Sequence, residues 1–147
     1  MTYFEGIWSY VHGQSSRNRS KRSFIEAFSE VFRSGSMPKT MLEQVAGVLY
    51  MDARCGFFHD GMFRDHVFFG KLDKGEMLIT TKKGRVESIV VDSARFVRAV
   101  ERHFKRFVAT LRDTSSVDER KRFYDTCKDR WDWDGGPRVI GMANPVV

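Results

Sequence analysis

Residues 50–61 read Tyr-Met-Asp-Ala-Arg-Cys-Gly-Phe-Phe-His-Asp-Gly, and they join Arg54, a permanent cation, to His59, a titratable imidazole. The segment follows an apolar-periodic run that begins at Pro38, and proline is favoured in the first turn of a helix. The apolar positions of that run have helical spacing: Met41, Leu42, Val45, Val48 and Leu49. The pattern predicts a helix whose C-terminal end carries Arg54 and His59.

A helix that leads into Arg-x-x-x-x-His resembles the HEPN family of small helical domains, and the resemblance covers residues 38–111. In that family the motif marks metal-independent RNA cleavage, often in toxin-antitoxin or phage-defence systems, by homodimers. The resemblance implies a mainly α-helical bundle, endoribonuclease activity, Arg54 and His59 as catalytic residues, and a neutralising antitoxin protein as a partner. The position after the arginine is commonly Asn, Asp or His in active members. Here it is Cys55, which puts catalytic strength in question more than the fold.

The two residue types of the motif fit cleavage by the RNA's own 2′-hydroxyl. His59 would act as general base or acid, and Arg54 would stabilise the negative charge of the phosphorane. One imidazole cannot be base and acid in the same step, so the partner subunit's His59 would complete the site. On a straight helix five positions turn about 500°, which leaves the two side chains roughly 140° apart. The pair therefore requires either a helix break near Gly56 or two chains.

Neighbours of the motif supply further candidates for the site. The candidate supporting residues are Tyr50, Asp52, Cys55 and Asp60. Asp60 would orient the imidazole, and Tyr50 would contribute a hydroxyl. A structural interpretation stays open, in which His59 caps helix-end carbonyls and Arg54 forms a surface ion pair. The acidic partners available to Arg54 nearby are Asp52, Asp60 and Asp65.

Histidine and cysteine are too sparse in this chain to predict a metal site. His59, His66 and Cys55 lie near one another in sequence, but no further ligand at compact spacing completes a zinc set. Cys55 and Cys127 are expected to be free thiols in an intracellular setting. We therefore predict no metal and no cofactor.

The net charge of +6 and a pI near 9.5 favour a polyanionic partner, and RNA is the one the motif implies. The candidate RNA-binding residues are Arg17, Arg19, Lys21, Arg22, Arg64, Arg98 and Arg102. We call the first four the loop cations, because the polar composition of residues 15–22 predicts a loop. The basic stripe runs along one later helix and consists of Arg95, Arg98, Arg102, Lys105, Arg106 and Arg112. A merely solvated surface is the alternative for both groups.

The rest of the chain predicts one helical domain over residues 1–134, with an irregular tail at 135–147. Apolar spacing predicts a first helix that ends by Gly13, and a second that starts at Ser23 with Glu26 in a capping box and stops at Gly35. β-branched and aromatic residues predict a small β-hairpin insertion at about 66–91, turning at Lys82-Lys-Gly-Arg85.

Two more helices are expected after the β insertion. Asp92 or Ser93 should cap the first, whose predicted buried positions are Phe96, Val97, Val100, Phe104, Phe107, Val108 and Leu111. Ser116 and Glu119 form a second predicted capping box, and the last helix should bury Tyr124, Cys127 and Trp131.

Several classes of protein are excluded by what the sequence lacks. No run of about 18 apolar residues and no secretory signal occurs, which predicts a cytoplasmic protein without a membrane partner. No Gly-rich phosphate loop, Gly-x-Ser-x-Gly or His-Glu-x-x-His motif is present.

The rival to an endoribonuclease is a catalytically inactive HEPN-fold module that dimerises and binds RNA or protein. An antitoxin-like or structural partner is a third alternative.

Overall fold

The computed structural model describes residues 2–33, 37–56, 62 and 65–131. Its α-helices are α1 Thr2–His12, α2 Ser20–Phe32, α3 Lys39–Val48, α4 Ser93–Arg112 and α5 Val117–Trp131. A π-helical segment, Leu49–Cys55, continues α3. The strands are β1 Val67–Phe69, β2 Met77–Lys82 and β3 Arg85–Val91. The chain is therefore mainly helical with a small sheet, as the sequence predicts, while residues 135–147 and Gly35 lie outside the described ranges.

An aromatic cluster forms the centre of the core. The Phe4 ring of α1 lies 5.0 Å from Phe24, 5.4 Å from Phe28 and 6.1 Å from Phe96, measured between ring centroids. Three helices, α1, α2 and α4, thus meet at one side chain. Aromatic side chains bury large apolar areas and dominate the energetics of such cores, so this cluster fixes the positions of α1 and α2.

The second helix begins at Ser20, three residues before the predicted start at Ser23. Arg19 occupies the N-cap position without a side-chain cap, so the predicted capping box with Glu26 is wrong. The Glu26 carboxylate instead accepts hydrogen bonds from Trp8 Nε1 at 2.7 Å and from Arg22 Nε at 2.8 Å. The buried indole of α1 needs an acceptor, and Glu26 supplies it across the α1–α2 interface.

The sheet is three-stranded with the order β1-β3-β2 and spans the predicted β insertion at about 66–91, in which the hairpin accounts for two strands. Strands β2 and β3 form that hairpin, and its turn residues Lys83 and Gly84 have φ of 50° and 74°. Positive φ at both positions suits the twist of a two-residue hairpin. Strand β1 pairs in parallel with β3 on the other side, with Val67 opposite Ile89. These two residues are buried against the helices.

Helix α4 begins where the sequence predicts. Asp92 is its N-cap, and the carboxylate accepts from the backbone N–H of Arg95 at 3.0 Å and of Leu72 at 3.1 Å. These two hydrogen bonds hold the pKa of Asp92 below its usual value. The predicted buried face is only partly correct, because Val97 and Phe104 are 62% and 49% exposed.

Val97 and Phe104 are exposed because neighbouring elements bury only part of the apolar face of α4. Phe96 and Ala99 are the buried positions of this helix, and they face the α2 side of the core. The neighbouring elements cover one narrow face of the helix, which is narrower than its apolar arc. The predicted burial of Tyr124 in α5 is also wrong, since that side chain is 49% exposed, whereas Cys127 is buried as predicted.

Candidate functional site

The motif region lies on the π-helical segment. Leu49 and Ala53 of this segment are fully buried, and they anchor it to the core. The Gly56 N–H donates to the carbonyl of Met51, five residues earlier, which is the hydrogen bond that defines a π-helix. Single π-helical turns are rare and frequently occur at functional sites. The backbone of Gly56 remains helical, with φ −56° and ψ −49°, so the helix does not break before that residue.

Arg54 points from the π-helical segment towards α1 and forms a bidentate ion pair with Glu5. Its Nε donates to Glu5 Oε1 at 2.9 Å, and its Nη2 donates to Glu5 Oε2 at 3.3 Å. The two side chains are only 22% and 13% exposed. The partner is therefore neither Asp52 nor Asp65, and a pair that bridges two helices at this burial is more than a surface contact. Whether Asp60 also approaches Arg54 lies outside the described residues.

Tyr50 and Cys55 surround the same guanidinium. The Arg54 Cζ lies 5.5 Å from the centroid of the Tyr50 ring, within the range of a cation–π contact. Burial acts to lower the pKa of Arg54, but the hydrogen bonds and charge of Glu5 outweigh it and raise the pKa. Burial raises the pKa of Tyr50, and the Cys55 sulfur contributes in the same direction. Tyr50 and Cys55 thus lie beside the Arg54 guanidinium, and their supporting role at the site stays a prediction.

Asp52 points to the other side of the π-helical segment and contacts His66. Its Oδ2 accepts from His66 Nδ1 at 2.8 Å. Both residues line a groove of about 500 Å³ between the end of α3 and the sheet, together with Gln44 and Arg85. The two side chains therefore lie on different sides of the π-helical segment: Asp52 faces the sheet, and Arg54 faces α1.

One predicted catalytic residue, one supporting residue and one predicted RNA-binding residue lie outside the described part of the chain. His59 and Asp60 fall within residues 57–61, and Arg64 falls within 63–64. The expected relation of Arg54 to His59, and the role of Asp60 as its orienting group, stay predictions.

The loop cations do not share one environment. Arg17 and Lys21 have exposed side chains, as has Arg22, which pairs with Glu26 at 2.8 Å. Arg19 donates to Gln14 at 3.1 Å and lies 5.9 Å from the Trp8 ring. Two of these residues, Lys21 and Arg22, belong to the first turn of α2, and the predicted loop is therefore shorter.

The basic stripe on α4 is partly neutralised by acidic neighbours. Arg102 pairs with Glu76 at 3.0 Å, Lys105 with Glu101 at 2.7 Å, and Arg95 with Asp92 at 3.5 Å. Arg98 is exposed and forms no ion pair within the described ranges. Arg98 is thus the more available of the two candidate RNA-binding residues on this helix.

Cysteine and metal chemistry add little to this site. Cys55 and Cys127 are free thiols, and burial raises the pKa of Cys127. Over residues 2–33, 37–56, 62 and 65–131, no group of three or more His, Cys, Asp or Glu side chains is arranged to hold a metal ion. Across the same ranges every helix is too short or too polar to traverse a lipid bilayer.

Sequence reasoning missed Glu5 as the partner of Arg54 and His66 as the partner of Asp52. Glu5 is separated from Arg54 by 49 positions, so no local spacing links them. The only signal in the sequence was an acidic residue on the first amphipathic helix. His66 was considered only as a metal ligand, and its pairing depends on how β1 joins the sheet.

No protein-family model matches this chain, and no curated protein or solved structure matches it significantly.

Proposed function

We propose that this protein is a metal-independent endoribonuclease of the HEPN type, a helical bundle with a β insertion that acts as a homodimer. The observation that carries the proposal is the environment of Arg54. Its guanidinium sits on a π-helical turn, held by Glu5 and by the Tyr50 ring, directly before the segment that contains His59. A fixed guanidinium is preorganised to stabilise charge that develops on a phosphate.

In the proposed reaction the 2′-hydroxyl of the substrate attacks the adjacent phosphorus as its proton passes to a base. The bond from phosphorus to the 5′-oxygen breaks, and an acid protonates that oxygen. The products are a 2′,3′-cyclic phosphate and a 5′-hydroxyl. Arg54 stabilises the phosphorane, and His59 exchanges the proton as base or acid.

A homodimer supplies what one chain lacks in this mechanism. The reaction uses a base and an acid at once, and a two-fold axis beside the motif would bring the partner subunit's His59 to the same phosphate. An RNA substrate is consistent with the net charge of +6. A toxin or phage-defence role in the cytoplasm, with a neutralising antitoxin protein, follows from the family resemblance alone.

The second candidate is a catalytically inactive HEPN-fold module that dimerises and binds RNA or protein. The observation that favours it is the Arg54–Glu5 pair, because a bidentate carboxylate already offsets the cation that the reaction would use. The Cys55 departure from the family pattern points the same way. In this alternative Arg54 joins two helices and has no part in chemistry.

Incubation with structured and unstructured RNA in EDTA separates the two candidates. The endoribonuclease proposal expects cleavage by the wild type and a loss in Arg54→Lys, since a point charge cannot reproduce the guanidinium fork. Arg120→Lys is the matched control, because Arg120 is an exposed residue of α5. Binding without cleavage of any RNA would favour the inactive module, and loss of cleavage in EDTA would refute the metal-independent mechanism.

A further inference from the structure

The groove beside the sheet brings together an imidazole, a carboxylate and a cation outside the Arg54 environment. It lies between the end of α3 and the sheet, holds about 500 Å³, and includes Asp52, His66, Arg85 and Gln44 in its lining. That volume is within the ordinary range of small-ligand sites, about 300–1,000 Å³. His66, Arg85 and Gln44 have no role in the proposed ribonuclease mechanism. Asp52 enters it only as a candidate supporting residue.

His66 is held from two sides in this groove. Its carbonyl accepts from the backbone N–H of Ile89 at 2.8 Å, which ties the residue to the central strand. Its Nδ1 donates to Asp52 Oδ2 at 2.8 Å, and the carboxylate is only 16% exposed. A carboxylate only accepts hydrogen bonds, so Nδ1 carries a proton, and Nε2 is the nitrogen available to a ligand; it accepts in the neutral ring and donates in the imidazolium. The imidazole itself is 53% exposed.

Arg85 adds a permanent cation at the same groove. It is the first residue of β3, next to the tight hairpin turn, and its position is fixed by pairing with Lys82. It is exposed, and within the described part of the chain it makes no ion pair with a carboxylate. The Arg85 guanidinium, the Gln44 amide and the imidazolium form of His66 line the same groove and offer hydrogen-bond donors suited to a phosphate group.

We propose that this groove is a phosphate-ester binding site, in which Arg85 contacts the phosphate oxygens and the His66 ring, protonated on both nitrogens when the phosphate is bound, donates from Nε2 to the same group. Asp52 acts as a positioning residue that fixes the ring of His66. The site is separate from Arg54, which faces α1, and it does not depend on RNA cleavage. The phosphate could belong to a free nucleotide or to a nucleic-acid chain, because both present the same chemistry.

The test follows the His66 ring resonances by NMR at constant pH. Adenosine monophosphate and a short 2′-O-methyl oligoribonucleotide are the two probes, and the second cannot be cleaved through a 2′-hydroxyl. A response to the mononucleotide identifies a small-molecule site, and a response to the oligonucleotide alone identifies a nucleic-acid site. Either supports the proposal, and no response to either probe at millimolar concentration overturns it.

Two variants test the assigned contacts. Arg85→Gln should weaken binding about 10- to 100-fold, the range of a charged hydrogen bond, while Arg120→Gln should change it less than about twofold. Asp52→Asn should move the His66 resonances in the free protein, because its hydrogen-bond partner changes. Unchanged affinity in Arg85→Gln would refute the proposal. Because Arg85 is exposed, its replacement should leave the melting temperature close to that of the wild type.

Discussion

The ion pair between Arg54 and Glu5 predicts a measurable coupling free energy. Glu5→Gln keeps the size of the side chain and removes its charge, which leaves the guanidinium of Arg54 without that carboxylate. Arg54→Gln makes the opposite change, and the double variant removes both charges. A double-mutant cycle over these proteins isolates the pairwise free energy.

The expected magnitude follows from burial and geometry. Breaking a fully buried pair costs about 3–5 kcal/mol, whereas exposed pairs contribute about 0.2–1 kcal/mol. Here the two side chains are 22% and 13% exposed, and both hydrogen bonds are made, at 2.9 and 3.3 Å. We expect a coupling free energy of about 1–2 kcal/mol, after solvent screening of the exposed part. Glu5→Gln alone should cost about 2 kcal/mol, which lowers the melting temperature by about 4–8 °C for a chain of this size.

Urea unfolding of the four proteins provides the assay, with the Arg22–Glu26 pair as the matched control. That control pair is similarly short, at 2.8 Å, but its side chains are 79% and 37% exposed. Its coupling should be the smaller of the two, because solvent screens an exposed pair. If the Arg54–Glu5 coupling were no larger than that of the control, the pair would be a surface contact, and the argument for a fixed guanidinium would fail.

Three further predictions concern stability and RNA binding. Burial lowers the pKa of His103 and raises the pKa of Tyr3 to about 12. The unfolded chain therefore binds the histidine proton more readily, and the folded chain keeps the tyrosine proton longer. Stability should fall as the pH drops below about 6.5 and as it rises above about 10. Denaturant midpoints measured across the pH range should show both losses of stability. Tyr3→Phe should reduce the loss above pH about 10, and an equal loss in this variant would contradict the role given to Tyr3. If RNA binds α4, Arg98→Glu should reduce the salt dependence of affinity by more than Arg102→Glu, because Arg102 already pairs with a glutamate. Equal slopes in both variants and the wild type would show that α4 does not bind RNA. Asp92→Ala should cost about 1–2 kcal/mol in urea unfolding, because it removes the α4 cap and leaves the Leu72 N–H without its acceptor; a loss below about 0.5 kcal/mol would refute this role.

The sequence predicted correctly the α4 cap and the hairpin turn, which depend on residues that are close together in the chain. Asp92 is the α4 cap because its side chain reaches an N–H three residues later, and this depends on sequence neighbours alone. The Lys83-Gly84 turn follows from the same short-range logic, because few residue pairs accept positive φ at both positions. The predicted capping box at Ser23 is wrong because α2 already begins at Ser20, and the Glu26 carboxylate has a long-range partner, Trp8 of α1.

The candidate site was predictable only in part. Arg54 and its neighbours stand out from spacing, but their partners come from distant segments. Glu5 reaches Arg54 because α1 packs across the core, and His66 reaches Asp52 because β1 pairs with β3 in parallel. Parallel pairing requires a long connection between the strands, and no short sequence window encodes it. Val97 and Phe104 illustrate the same limit, since an apolar arc does not specify how much of it is covered.

In the mechanism we propose, the RNA 2′-hydroxyl is the nucleophile and His59 exchanges its proton. Mass spectrometry of the RNA products formed in EDTA tests this mechanism. We expect fragments that end in a 2′,3′-cyclic phosphate and begin with a 5′-hydroxyl, and His59→Ala should slow their formation by about 10²- to 10⁴-fold without loss of folding. Fragments with a 5′-phosphate and a free 3′-hydroxyl, or undiminished cleavage by His59→Ala, would contradict it.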